Sequence, residues 1–242
     1  MQENGWLDRT EKLIGREAIK KLAQSRIAVI GLGGVGGNCA EGLARAGVGQ
    51  ILVIDHDIID SSNRNRQLFA TAQTIGKQKS AVAVERLSEV CPECTVTPID
   101  MFYSSENRET LFNWNPDFVI DAMDTVTAKL DLIATCTERN IPVLSCMGTG
   151  NRLDPTAFRV GDIAETAGCG CGLAKVMRRE LRRRGILSLP VVYSLEEPLK
   201  AQANSACAGR HSPASISFCP PVAGYILASY AVRYLIGLIP KK

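Results

Sequence analysis

The stretch that decides the fold is Arg26-Ile27-Ala28-Val29-Ile30-Gly31-Leu32-Gly33-Gly34-Val35-Gly36-Gly37, continued by Gln50-Ile51-Leu52-Val53-Ile54-Asp55. A short β-branched run enters a glycine turn. Residues 38–46 have helical composition, and a second apolar run closes a βαβ unit. Gly31, Gly33 and Gly36 keep the spacing G-x-G-x-x-G. The first permits a tight turn, the second lets backbone approach a ligand, and the third lets helix and strand pack closely. The helix that begins there offers free N–H groups to an anion.

The alternation continues outward from this unit. A helix is expected over 17–24, ahead of the first strand. Helical patterns follow at 77–90, 105–113 and 125–139, and strand patterns at 95–99, 118–120 and 142–146. Strands alternating with helices predict an α/β fold, a doubly wound, Rossmann-like, mostly parallel sheet. The rhythm changes after Gly148. A strand is expected over 156–160, a strongly basic helix over 173–184, a strand over 191–194, a polar loop over 200–213 and an apolar helix over 222–239. We read one domain over 1–242, with a nucleotide-binding half (1–150) and a substrate-binding extension (151–242).

Composition sets the outer limits. The chain has 242 residues, 45% hydrophobic and 22% charged. These values exclude a disordered, collagenous or coiled-coil protein. The net charge of +3 leaves any nucleic-acid contact to a local patch. Nine cysteines, an odd number spread through apolar segments, read as reduced thiols of a cytoplasmic protein. The N-terminus lacks the apolar run of a signal peptide. Residues 212–232 carry no charge, but Pro213, Pro220 and Pro221 interrupt them, so a buried helix is expected and a membrane partner is not.

Asp55 ends the second strand about 20 residues after the glycines, where a carboxylate accepts hydrogen bonds from ribose hydroxyls. NAD and ATP both fit up to this point. The next segment separates them. Asp57, Asn63, Arg64, Asn65, Arg66 and Gln67 follow closely, then Lys77 and Lys79. A dinucleotide needs few cations, whereas a triphosphate needs Arg, Lys and a metal ion. Asp124, just past the end of a strand, suits Mg²⁺ held with triphosphate oxygens and waters.

Here the residues reach a family. The chain resembles the ThiF/MoeB/HesA superfamily of adenylating enzymes from about Arg9 to Gly237. The glycine loop matches Gly31–Gly37, with Gly34 inside it. The D-x-D…N-x-x-R-Q element matches Asp55, Asp57, Asn63, Arg66 and Gln67. The family's nucleotide lysine matches Lys79, and its magnesium aspartate matches Asp124. The resemblance implies ATP and Mg²⁺ as cofactors, with Arg66, Lys79 and Asp124 as catalytic residues. It also implies a homodimer in which Arg9 reaches the partner's ATP.

Two substrate classes then compete. One is the C-terminal glycine of a ubiquitin-like sulfur carrier, often activated by enzymes with a zinc site of two C-x-x-C pairs. This chain has one such pair, Cys91 and Cys94, and a C-x-C at Cys169 and Cys171, so the usual zinc site is not expected. The other is a small carboxylate on tRNA. Residues 148–162, 162–166, 173–184 and 193–198 resemble the tRNA threonylcarbamoyladenosine dehydratase (TcdA/CsdL) branch. Gly172 stands where that branch usually has proline. The branch implies ATP-dependent cyclisation of threonylcarbamoyladenosine beside the anticodon, and a link to a cysteine desulfurase or sulfur-acceptor partner. Lys175, Arg178, Arg179, Arg182 and Arg183, on the basic helix, are the candidate tRNA contacts. Cys207 is the candidate thioester cysteine, although internal cyclisation does not require one.

Overall fold

The computed structural model describes residues 5–200 and 213–240. Helices α1 (Asp8–Ile14) and α2 (Arg16–Gln24) lead into β1 (Arg26–Ile30), α3 (Gly36–Arg45) and β2 (Gln50–Ile54). Next come α4 (Lys79–Val90), β3 (Thr95–Ile99), the single turn α5 (Glu109–Phe112), β4 (Phe118–Asp121), α6 (Val126–Glu138) and β5 (Val143–Cys146). The second half adds β6 (Phe158–Asp162), α7 (Gly172–Arg183), β7 (Pro190–Ser194) and α8 (Cys219–Leu235).

All seven strands form one sheet in the order β3-β2-β1-β4-β5-β7-β6. Every pairing is parallel except β6 with β7. The order reverses between β1 and β4. Their carboxyl ends open a crevice there, the usual ligand position in open α/β sheets. Strand alternation explains the two cores. Ile27, Val29, Ile51 and Val53 face one cluster, with α3, α4 and α8. Ala28, Ile30, Leu52 and Ile54 face the other, with α6 and α7.

The uncharged C-terminal stretch is accounted for by packing. α8 buries Ala223, Gly224, Leu227, Ala228 and Ala231, an i, i+3/i+4 stripe. A Cβ on Gly42 of α3 would lie 3.0 Å from Ala228 Cβ, so small residues let the two helices approach closely. Truncating the fully buried Leu227 to Ala would cost about 2–5 kcal/mol. No helix among the described residues is long and apolar enough to cross a membrane.

Strand β3 contains Pro98 yet remains a strand. It is a sheet edge and pairs with β2 alone. The Thr95 amide donates to Gly49 O at 2.8 Å. Alternation therefore turns amides 95, 97 and 99 inward and leaves position 98 on the open side, where no donor is missed.

Several boundaries differ from the sequence expectation. The helix expected from 77 begins at Lys79, because Gln78 bridges Ile58 and Ile59 N donates to Lys77 O. The helix expected over 105–113 contracts to Glu109–Phe112, since Asn107 Oδ1 accepts the Ser104 amide in a turn. The strand expected from 156 begins at Phe158, after a tight turn capped by Asp154. The last helix starts earlier, at Cys219, because Pro220 and Pro221 occupy its first turn, where their missing N–H groups cost nothing. Helix α1 lies outside every element expected from the sequence.

Candidate functional site

The glycine loop is built by contact. Gly31 has φ +91, and a Cβ there would lie 2.7 Å from Ala122 O. A Cβ on Gly36 would fall 1.8 Å from Gly31 O. Gly36 thus closes the turn from behind and does not line the cleft. Gly34 packs against Pro220 and Arg66, where a Cβ would meet Pro220 Cβ at 2.9 Å.

Above this loop lies a cleft of about 790 Å³. It gathers Gly31, Gly33, Gly34, Asp55, Asp57, Asn63, Arg66, Gln67, Lys79 and Asp124 from the ends of β1, β2 and β4 and the start of α4. Three groups that sequence reasoning missed also line it: residues 101–103 after β3, residues 146–150 from the end of β5 onward, and Pro213 and Ser215 before α8 with Pro220 in its first turn. Sequence alone carried no signal for these, since they are brought in by sheet order. A larger cavity of about 1220 Å³ runs along α7. It has no carboxylate or glycine loop in its wall, so its chemistry is that of a basic surface.

The carboxylates are already engaged. Asp55 is buried, and its Oδ2 accepts the Leu32 amide at 2.6 Å while Oδ1 accepts the Asp57 amide at 2.8 Å. It therefore ties the glycine loop to the next segment, leaving its remaining lone pairs for a ribose. Lys79 is buried too, and its Nζ stands 2.6 Å from Asp57 Oδ2 and 3.8 Å from Asp55 Oδ1. Asn63 Oδ1 accepts the Asp60 amide, holding the turn that carries Arg66. Asp124 is exposed and Arg66 is half-buried. Arg66 donates to Ser62 O at 3.0 Å and Asn65 Oδ1 at 2.8 Å. Lys77 pairs instead with Glu85 at 3.7 Å.

Among the described lining residues, four aspartates (Asp55, Asp57, Asp60 and Asp124) face two full cations, Lys79 and Arg66. Counting cations along the sequence passes over this excess of carboxylate. Cys146 lines the same cleft, but burial, only partly offset by Lys129, pushes its thiol up to about 12. It is not a thiolate nucleophile at neutral pH. Tyr103 is raised by burial and then by Asp131, so it stays a neutral hydrogen-bond donor. Cys207 lies outside the described residues.

Among the candidate tRNA contacts, Lys175, Arg179, Arg182 and Arg183 are exposed on α7. Arg178 is not free: its guanidinium donates to the buried Thr166 Oγ1 at 2.7 Å. Glu180 accepts from Arg179 at 2.9 Å and from Arg183 at 3.0 Å. Those hydrogen bonds, the one from Arg179 above all, hold its carboxyl below the usual range.

Comparison with known proteins agrees with this geometry. A tRNA threonylcarbamoyladenosine dehydratase of Bacillus subtilis is 40% identical over 239 residues, covering 94% of this chain and 93% of that protein. Crystal structures of Escherichia coli tRNA N6-threonylcarbamoyladenosine dehydratase, TcdA, superpose with a TM-score of 0.88 in complex with AMP and 0.87 in complex with ATP. Both are 31% identical and cover 98% of each chain. A molybdopterin-synthase adenylyltransferase of Salmonella typhimurium matches over 131 residues, 54% of this chain at 33% identity. The family model described as "ThiF family" matches residues 7–242, the glycine loop, the cleft and the second half together, and the chain belongs to the ThiF family.

Proposed function

We propose that this protein is an ATP-dependent tRNA threonylcarbamoyladenosine dehydratase. The observation that carries this reading is the likeness to such a dehydratase along 94% of the chain, second half included, whereas the sulfur-carrier type of adenylyltransferase is matched over 54%. The nucleotide half is common to both chemistries, so the second half decides between them.

In this reading the threonyl carboxylate of the modified adenosine attacks the α-phosphorus of ATP, and pyrophosphate leaves. A carbamoyl nitrogen then attacks the acyl carbon, the nitrogen loses its proton, and AMP leaves with one former carboxylate oxygen. The net change in the nucleoside is the loss of one water. The attacking nitrogen is tethered to the electrophile, so positioning supplies most of the acceleration. The main-chain amides of residues 33–35, just ahead of α3, receive phosphate oxygens, and Asp55 orients the ribose. Arg66 and Lys79 oppose charge developing on the phosphates, with Lys79 leaving Asp57 as the nucleotide enters.

Among the described lining residues, four aspartates against two cations disfavour a polyanion that arrives without a counter-ion. The residues therefore fit a divalent cation: Asp124 is exposed, and among the described residues the one hydrogen bond to its side chain is a 3.5 Å donation from Thr125 Oγ1. Mg²⁺ held there through one carboxylate, phosphate oxygens and water would supply charge neutralisation. Arg9, exposed on α1, would add a further cation from the partner in a homodimer. α7 would contact tRNA phosphates through Lys175 and Arg182. A tRNA substrate fits a cytoplasmic enzyme, and a cysteine desulfurase system is its candidate partner.

The test is incubation with ATP, Mg²⁺ and tRNA bearing threonylcarbamoyladenosine. The nucleoside should lose about 18 Da, one AMP forming per event through the acyl-phosphate route. AMP formation only with a carrier protein ending in Gly-Gly would overturn the reading. Cys207→Ala should retain most of the dehydration, since ring closure needs no protein nucleophile; complete loss would establish a thioester route.

A further inference from the structure

Beneath the cleft, Lys129 and Asp121 form an ion pair with both side chains fully buried, Nζ to Oδ2 2.9 Å. Burying such a pair is costly, and apolar residues of similar volume serve stability as well or better. The position of its hydrogen bonds explains what it does. Lys129 Nζ also donates to Met123 O at 3.1 Å and to Cys146 O at 2.9 Å. Three donors thus meet three acceptors. Asp121 is equally satisfied: Oδ2 accepts Ser145 Oγ at 2.6 Å and Oδ1 accepts the Met123 amide at 3.2 Å.

These acceptors lie where the ladder stops. The last register pair between β4 and β5 is Asp121 with Ser145. Beyond it the strands part, and the ion pair takes over the backbone groups of the two diverging loops. The Met123 peptide is held at both polar atoms, its N–H by Asp121 and its carbonyl by Lys129. Asp124 is the next residue. On the other side, the Cys146 carbonyl begins the segment 146–150 that lines the cleft. Ala122, inside the held loop, packs against Gly31.

We infer that Lys129 is a positioning residue for the adenylation step, setting Asp124 and the 146–150 loop at a fixed separation across the cleft. It touches no reactant. The inference rests on the reading of the cleft given above. The glycine loop, Asp55 and Lys79 stand on β1, β2 and α4, outside its hydrogen bonds. Losing Lys129 therefore impairs turnover far more than ATP binding.

The test pairs Lys129→Met with Asp121→Asn, so that no unpaired charge stays buried and the variant can fold; Lys129→Arg is made alone. Peptide-resolved hydrogen exchange should rise in segments 121–126 and 146–150 of the double variant and stay unchanged in β1, β2 and β3. In AMP formation with modified tRNA, kcat should fall about 100-fold, the scale of an ångström-level misplacement, with KM for ATP little altered. Lys129→Arg should recover part of kcat. A folded double variant with unchanged kcat, or with exchange raised evenly over the whole sheet, would overturn the inference. An inactive wild-type protein would overturn the dehydratase reading instead, and the exchange pattern would still decide the role of Lys129.

Discussion

Lys79 Nζ lies 2.6 Å from Asp57 Oδ2, and Lys79 is buried whereas Asp57 is half exposed. The lysine assigned to the triphosphate is thus held by a carboxylate at the cleft wall and has to exchange that partner for phosphate. The exchange is cheap, because Asp57 can turn to water when released. Lys79→Met should lower AMP formation about 100- to 1000-fold, the effect of losing one charge-stabilising donor. It should also destabilise the fold by about 1–3 kcal/mol, since Asp55 would stay buried without its cationic neighbour. Steady-state kinetics and denaturant unfolding measure the two effects separately.

Asp124 is exposed and Arg66 half-buried at the cleft wall, so the loss of Asp124 separates chemistry from stability more cleanly. Arg66→Ala and Asp124→Ala should each nearly abolish AMP formation, while the unfolding free energy shifts by less than about 0.5 kcal/mol for Asp124→Ala and by about 0.5–1.5 kcal/mol for Arg66→Ala, which loses the hydrogen bond to Ser62 O. Asp124→Ala should also raise the Mg²⁺ concentration required for nucleotide binding. Retained turnover in either variant would break the assignment of the site.

The basic helix α7 offers a two-way test. Lys175→Glu and Arg182→Glu should raise KM for tRNA and leave ATP affinity alone. Each should also lower the salt slope of tRNA binding by about one, the share of a single neutralised phosphate. Glu180→Gln should act the other way. It releases Arg179 and Arg183 and should tighten tRNA binding. Equal tRNA affinity in all three variants would move the RNA path off this helix.

Acid stability should depend on Glu41. Burial raises its pKa, but hydrogen bonds and charge from Arg86 and Arg45 outweigh burial and leave it lowered. The folded chain then binds this proton more weakly than the unfolded chain. Its contribution is complete above the ordinary carboxylate value and is lost as pH falls through the lowered folded value. Glu41→Gln should unfold more readily near neutrality, and the gap from wild type should narrow as pH drops below about 4. Unfolding midpoints across that range measure it.

The N-terminal half was legible where local signals agreed. β1, β2 and β3 match the expected ranges residue for residue, because β-branched runs were bounded by glycine or turn residues. Asp55, Asp57, Arg66, Lys79 and Asp124 stand out by residue type and do converge on one cleft. What escaped the sequence depends on tertiary approach. Lys129 appears as one cation near the start of a helix, and nothing local says that it ends fully buried beneath two loops. Arg178 appears as one more basic residue of a basic helix, and the buried Thr166 that occupies it is twelve residues away. The Asp57–Lys79 pair likewise spans 22 residues.

The proline in β3 reaches beyond that strand. Position 98 points away from β2, so the outer rim of the sheet lacks one link in its row of hydrogen donors. A neighbouring molecule could not zip a strand along this border without an interruption. Two copies pairing strands there would forgo that bond, which disfavours a continuous β-structure across the border.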